Sequence, residues 1–179
     1  MGEGTVLKMG AKIYSNTTLG PFCKVGGEVN NVVFQGFSSK AHDGFLGNSV
    51  IGEWCNLGAD SNNSNLKNNY SEVKLWDYAS GRFQNTGLQF CGLIMGDHSK
   101  CGINTMFNTG TVVGVNSNIF GAGFLRNFIP SFSWGGVSGF STYKTEKAFE
   151  VAEIVMQRRN KSFDEQEENI LSHIFELTK

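Results

Sequence analysis

Neither sign of charge is in surplus in this chain: 15 Lys and Arg against 16 Asp and Glu leave a formal net charge of -1. That balance removes any whole-chain electrostatic case for binding nucleic acid or an anionic membrane, so an anionic ligand must be held locally. Long apolar runs are missing too. None approaches the roughly 20 residues needed to cross a bilayer, and the opening MGEGTVLKMGAK lacks the apolar core of a secretory signal, so a cytoplasmic protein is expected. Four cysteines, Cys23, Cys55, Cys91 and Cys101, lie far apart with no CxxC pair. Buried, reduced thiols fit that spacing better than a disulfide frame or a zinc knuckle, and no metal is expected. Proline is scarce, with two residues in 179, whereas glycine numbers 23 and phenylalanine 15. The balance points to a turn-rich chain with a bulky interior rather than a disordered one.

What is present is a period. Leu7, Ile13, Leu19 and Val25 are spaced by six, and Met95, Cys101, Phe107, Val113, Ile119 and Leu125 continue at the same spacing, with Gly20, Gly26, Gly96, Gly102 and Gly114 directly behind five of them. Neither a helix nor a flat alternating strand has a period of six. A coil of short strands joined by tight corners does, and each turn then buries its apolar residues only by stacking on its neighbours. Between Val25 and Leu46 the register blurs, and Leu46 to Ile51 is a step of five, which predicts a shortened corner.

Two segments leave the period. Residues 59–91 are rich in asparagine and serine and then alternate in SEVKLWDY and GRFQNTGLQF, which predicts a projecting loop with a hairpin. At the C-terminus, Phe149, Ala152, Val155 and Met156 fall at helical spacing. Ser162 with Glu165 then reads as a capping box opening a second helix, with Ile170, Leu171, Ile174 and Phe175 as its apolar stripe. The expected organisation is a coil over 1–127 with a loop inserted at 59–91, a connector over 128–142 and a helical appendage over 143–179.

Of three histidines, His42 stands at the head of the pairs Leu46-Gly47, Ile51-Gly52 and Leu57-Gly58. A neutral imidazole there suits a general base near neutral pH. His98 at a corner and His173 on the final helix read as exposed structural residues.

The six-residue period resembles that of the hexapeptide-repeat transferases, whose chains wind into a left-handed parallel β-helix, an exception to right-handed crossover. The block SKAHDGFLGNSVIGEWCNLGAD resembles the acetyltransferase half of the bifunctional enzymes that make UDP-N-acetylglucosamine, and NSNLKNNYSEVKL resembles a loop of archaeal sugar-1-phosphate nucleotidyltransferases that also acetylate. The overall likeness is to the C-terminal domain of GlmU-like sugar nucleotidyltransferases of Bacteroidetes type, over roughly residues 5–127. That resemblance implies transfer of an acetyl group from acetyl-CoA, as co-substrate, to an amino-sugar phosphate. It implies His42 as base, Asn65 as its catalytic partner and Lys74 as a sugar-phosphate ligand. It also implies coenzyme A along the later turns, against Gly121 and Ala122, with Lys100 and Arg126 near its phosphates, in a site between the subunits of a homotrimer.

Departures from the family pattern are plain. Phe45 replaces a tyrosine whose hydroxyl would bind the sugar, Asn30 and Asn31 stand where basic residues precede the histidine segment, and Asp43 is foreign to the motif. Nothing matches the glycine-rich signature of a nucleotidyltransferase domain, and the coil begins almost at once, so a piece of a longer chain is expected. Two readings follow: an acyltransferase using His42, or a noncatalytic domain that trimerises a sugar-1-phosphate nucleotidyltransferase.

Overall fold

A period of six closes into a coil when each hexad supplies one short strand and one corner, so that every sixth side chain turns inward on the next wall. The computed structural model, which describes residues 1–178, is such a coil: a left-handed parallel β-helix of about 8 turns followed by two helices. Three inward ladders fill it. The first wall contributes Ile13, Val29, Leu46, Asn63, Phe107 and Leu125. The second contributes Leu19, Phe34, Ile51, Met95, Val113 and Ile129. The third contributes Leu7, Val25, Lys40, Leu57, Cys101, Ile119 and Gly135. All four cysteines are free and buried.

The blurred stretch after Val25 now has a physical reason. The inward residues there are Val29, Phe34 and Lys40, reached by steps of four, five and six, so one lysine takes an apolar place while two corners shorten. The coil also runs further than residue 127. Phe128–Ile129 pairs with Thr111–Val113, and Ser133–Gly136 pairs with Asn118–Ile119, within the stretch expected to be a connector. The step from Leu125 to Ile129 is only four residues, which hides this turn from a search at six. Gly139–Thr142 then folds back antiparallel on Ser133–Gly136 and ends the eight-stranded sheet.

The inserted segment is shorter than 59–91. Asn62–Asn63 remains in the coil, paired with Met106–Phe107, and the chain has rejoined by Cys91, whose N–H donates to Asn65 O. Beyond Asn65 the loop carries an antiparallel hairpin, Lys74–Asp77 with Arg82–Asn85, which folds onto the second wall through the stacking of Trp76 on Phe128 at 4.1 Å.

One corner of the coil, between the second and third walls, is built from Phe22, Phe37, Trp54, His98, Asn116 and Phe132, all at φ between 53° and 59°. Side chains other than glycine rarely adopt that conformation. Here each N–H is held by the turn before, as in Trp54 to Gly36 O and His98 to Glu53 O, and the rings stack: Phe22 on Phe37, Phe37 on Trp54, Trp54 on His98. The helices α1 (Thr145–Gln157) and α2 (Glu165–Leu177) pack here, with Ala148 and Leu171 buried against Phe132. Lys161 lies over Phe37 and Arg159 reaches Phe22 O. The expected capping box is corrected: α2 is capped by Asp164, which accepts from the Glu167 N–H at 3.0 Å, because the helix begins at Glu165. Among the described residues no helix is long and apolar enough to cross a membrane.

Candidate active site

His42 occupies the corner between the third and first walls, in the exposed stretch between Lys40 and Phe45. Successive turns lay their corners directly over one another along this edge. The Asp60 N–H donates to Asp43 O at 3.0 Å, Asn104 N–H to Ala59 O at 2.8 Å, and Gly102 N–H to Ile119 O at 2.8 Å, so the same edge runs on to Gly121 and Ala122. Three strand spacings of about 4.8 Å separate its ends by about 14 Å. Gly121 sits at φ +102° with open space beside it, and both it and Ala122 are exposed. The structure thus brings three of the expected site residues, His42, Gly121 and Ala122, onto one edge.

Phe45 and Asn65 meet elsewhere on the first wall. A Cβ on Gly47 would lie 2.5 Å from the Phe45 ring and 2.8 Å from Asn65 Nδ2, so the glycine is what lets the two side chains converge. Asn65 Nδ2 donates to Asn48 Oδ1 at 2.7 Å. Beneath them the wall is spliced by side-chain amides rather than by a backbone ladder. Asn62 Oδ1 accepts from Phe45 N–H, while Asn63 both accepts from Gly47 N–H at 2.8 Å and donates to Gly47 O at 3.0 Å. Asn63 thereby stands in for a strand residue, which satisfies a buried donor and acceptor where the loop departs. This seam was missed from sequence, where the asparagines read only as a break in the period.

The basic residues are dispersed. Lys74 is exposed at the base of the hairpin, opposite Asn85. Arg126 is exposed just past Leu125, at the loop end of the first wall. Lys100 is turned away: it lies half-buried on the third wall, and its Nζ donates to His98 O at 2.8 Å, toward the aromatic corner. Burial lowers its pKa.

His98 is a second correction. It is 3% exposed rather than on the surface, because its corner lies under α2. Burial, aided by Lys100, pushes its pKa down to about 3, so the imidazole is neutral. Glu53 and Glu167 nearby have carboxyls raised by burial and by the charge of Asp97. His173 is exposed, as expected.

An apolar groove of about 820 Å³ opens between the hairpin, the second wall and the end of α2, lined by Trp76, Tyr78, Ile94, Val112, Ile174 and Leu177. It belongs to a different wall from His42. Among the described residues no group of three His, Cys, Asp or Glu side chains is placed to hold a metal ion.

No family model matches the chain, and no curated protein matches it. Among solved structures, the fold is similar to that of AntD, an N-acyltransferase from Bacillus cereus. A point mutant of AntD in complex with dTDP-4-amino-4,6-dideoxyglucose and coenzyme A has a TM-score of 0.62 and 11% identity, covering 88% of this chain and 89% of that one. AntD in complex with dTDP and 3-hydroxybutyryl-CoA gives 0.57 and 11%, covering 90% and 91%. At such identity the likeness establishes the β-helix with its appended helices and nothing finer.

Proposed function

We propose that the chain is a coenzyme A dependent N-acyltransferase of the hexapeptide-repeat type, acting on an amino sugar in a homotrimer. The observation that carries this reading is the single edge on which His42 and the open Gly121-Ala122 corner lie, about 14 Å apart, a span that an extended pantetheine arm can cover. His42 accepts the proton of the acceptor amine as its nitrogen attacks the thioester carbon. The C–N bond forms, the C–S bond breaks, and the sulfur leaves as a thiolate that takes the proton back from His42. Asn65, beside Phe45, orients the acceptor, and Lys74 on the loop meets its phosphate, both contributed across a subunit boundary. The ligands named for AntD make a nucleotide-linked amino sugar an acceptor class to set beside the amino-sugar phosphate, since Phe45 supplies no hydroxyl. Acetyl-CoA is the expected donor, and attachment to a sugar nucleotidyltransferase remains part of the proposal.

The test is thiol release from acetyl-CoA and 3-hydroxybutyryl-CoA with a panel of amino-sugar phosphates and nucleotide-linked amino sugars. Wild type should turn over with at least one acceptor, and His42→Ala should lower kcat by about 100-fold or more. The alternative reading, an assembly domain, is favoured by the same missing hydroxyl and dispersed cations, and predicts no turnover with any acceptor.

A further inference from the structure

Lys40 occupies a place that the coil reserves for apolar side chains. Its register partner on the preceding turn is Val25, and Lys40 itself is 1% exposed. An ammonium inside such a prism needs compensation. It finds it at the corner that carries His42: Nζ donates to His42 O at 2.9 Å and to Gly26 O at 3.3 Å. Gly27 makes room for this. At φ +68° a Cβ there would fall 2.8 Å from Nζ, 2.7 Å from His42 O and 2.8 Å from Gly44 O, so only a glycine leaves the cradle open. Burial lowers the lysine's pKa, while Asp43 and Asp60, on the same edge, favour its charged form.

We propose that Lys40 is a positioning residue for His42: from inside the coil, its ammonium clamps the His42 carbonyl to the turn below and so fixes the direction of the imidazole along the edge. The inference rests on the acyltransferase reading for its catalytic consequence but not for its geometry. The corner from Ala41 to Gly44 joins the strands ending at Lys40 and beginning at Phe45, and the peptide carbonyl of His42 is the group through which its orientation can be set from beneath. A methionine or leucine would fill the rung as well, but it could not reach out to the corner with a donor.

The experiment uses the full chain with Lys40→Met, which keeps length and volume and removes the donor. Three readouts are taken together: thermal stability, the imidazole 1H–13C resonances of the three histidines, assigned with His42→Ala and His98→Gln, and steady-state acyl transfer. The expected result is a melting temperature equal to or above wild type, a His42 resonance that moves or doubles while those of His98 and His173 stay, and a kcat lowered by roughly 10-fold with an unchanged KM for the acyl donor. An unchanged His42 resonance overturns the proposal, as does a moved resonance with unchanged kcat. A Lys40→Met chain that fails to fold also overturns it, because the ammonium is then a support of the whole coil. If wild type and His42→Ala turn over equally, His42 is not the base, and if neither turns over the acyltransferase reading fails; in both cases the resonance comparison still decides whether Lys40 orients the corner.

Discussion

His98 Nε2 faces Glu167 Oε1 at 3.6 Å across the seam between the coil and α2, and no ion pair forms between them. The separation exceeds a hydrogen bond, and the ring is sealed under Trp54 and the helix. Its two nitrogens have no hydrogen-bond partner, and burial outweighs the nearby Glu167 carboxyl, so the ring resists protonation.

Stability should therefore depend on pH in a defined direction. The folded-state pKa, about 3, lies below the unfolded value, so the unfolded chain binds a proton that the native state refuses. The contribution is intact above pH 6.5 and is lost progressively as pH falls toward 3, by up to about 1.4 kcal/mol for each pH unit. Glu53 and Glu167, raised in the fold, act in the opposite sense and offset part of it near pH 5. Denaturant titrations at pH 7.5 and 5.5 should show wild type losing about 1 kcal/mol more than His98→Gln between the two. Equal losses would mean that the ring is not held neutral.

Asn63 supports a second prediction, because its amide replaces a backbone unit. Asn63→Leu would match its apolar neighbours on the first inward ladder, yet it would strip Gly47 N–H of its partner, while Gly47 O would keep the Ser49 hydroxyl. Leaving a buried donor unpaired costs about 1 to 3 kcal/mol. The substitution is expected to destabilise by about 1 to 3 kcal/mol in spite of its better hydrophobic pattern, whereas Leu46→Met, with volume conserved on the same ladder, should be close to neutral and cost under about 1.5 kcal/mol. Chemical denaturation of both variants decides between pattern and partner.

The two candidate caps of α2 separate as simply. Asp164→Ala should cost about 1 kcal/mol, and Ser162→Ala should cost little, because the Glu167 N–H is satisfied by Asp164 alone. Hydrogen exchange at the first turn of α2 should rise in the first variant and not in the second.

How much of this was legible beforehand follows from how each residue spends its side chain. The ladder from Met95 to Leu125 is readable because every inward place is apolar and every step is six. Its continuation is not, since the step to Ile129 drops Arg126 and Asn127 into a shortened corner. Lys40 and Asn63 were hidden for a related reason: each sits six residues from an apolar rung, before Leu46 and after Leu57, but carries a polar group that bonds backbone rather than solvent. Spacing alone would have found them had polar residues been allowed at those places. His42 was identified from its neighbours, and the edge shared with Gly121 follows from the period. The meeting of Phe45 and Asn65 required Gly47, whose role depends on contacts between turns that no local pattern records.

Assembly gives the last prediction. On the second wall the outward residues between the inward ones are Val33, Val50, Ile94 and Val112, in direct register from turn to turn, and they form an apolar stripe facing away from the core. Val33 is 41% exposed at one end, while the hairpin covers the other through Trp76 and Phe128. From Val50 to Val112 this stripe lines the groove between the hairpin and the end of α2, and an apolar surface of this kind is suited to packing against a second copy, which closed symmetry then repeats. Ile94→Glu would place a carboxylate in the middle of that contact without touching the inward ladder, since its neighbour Met95 is the residue that points inside. Light scattering behind size-exclusion chromatography should give about three times the chain mass for wild type and a shift to monomer for Ile94→Glu, with the melting temperature dependent on concentration only in wild type. Wild type eluting as a monomer would remove the shared site from the proposed mechanism, and a trimer insensitive to Ile94→Glu would move the contact to another wall.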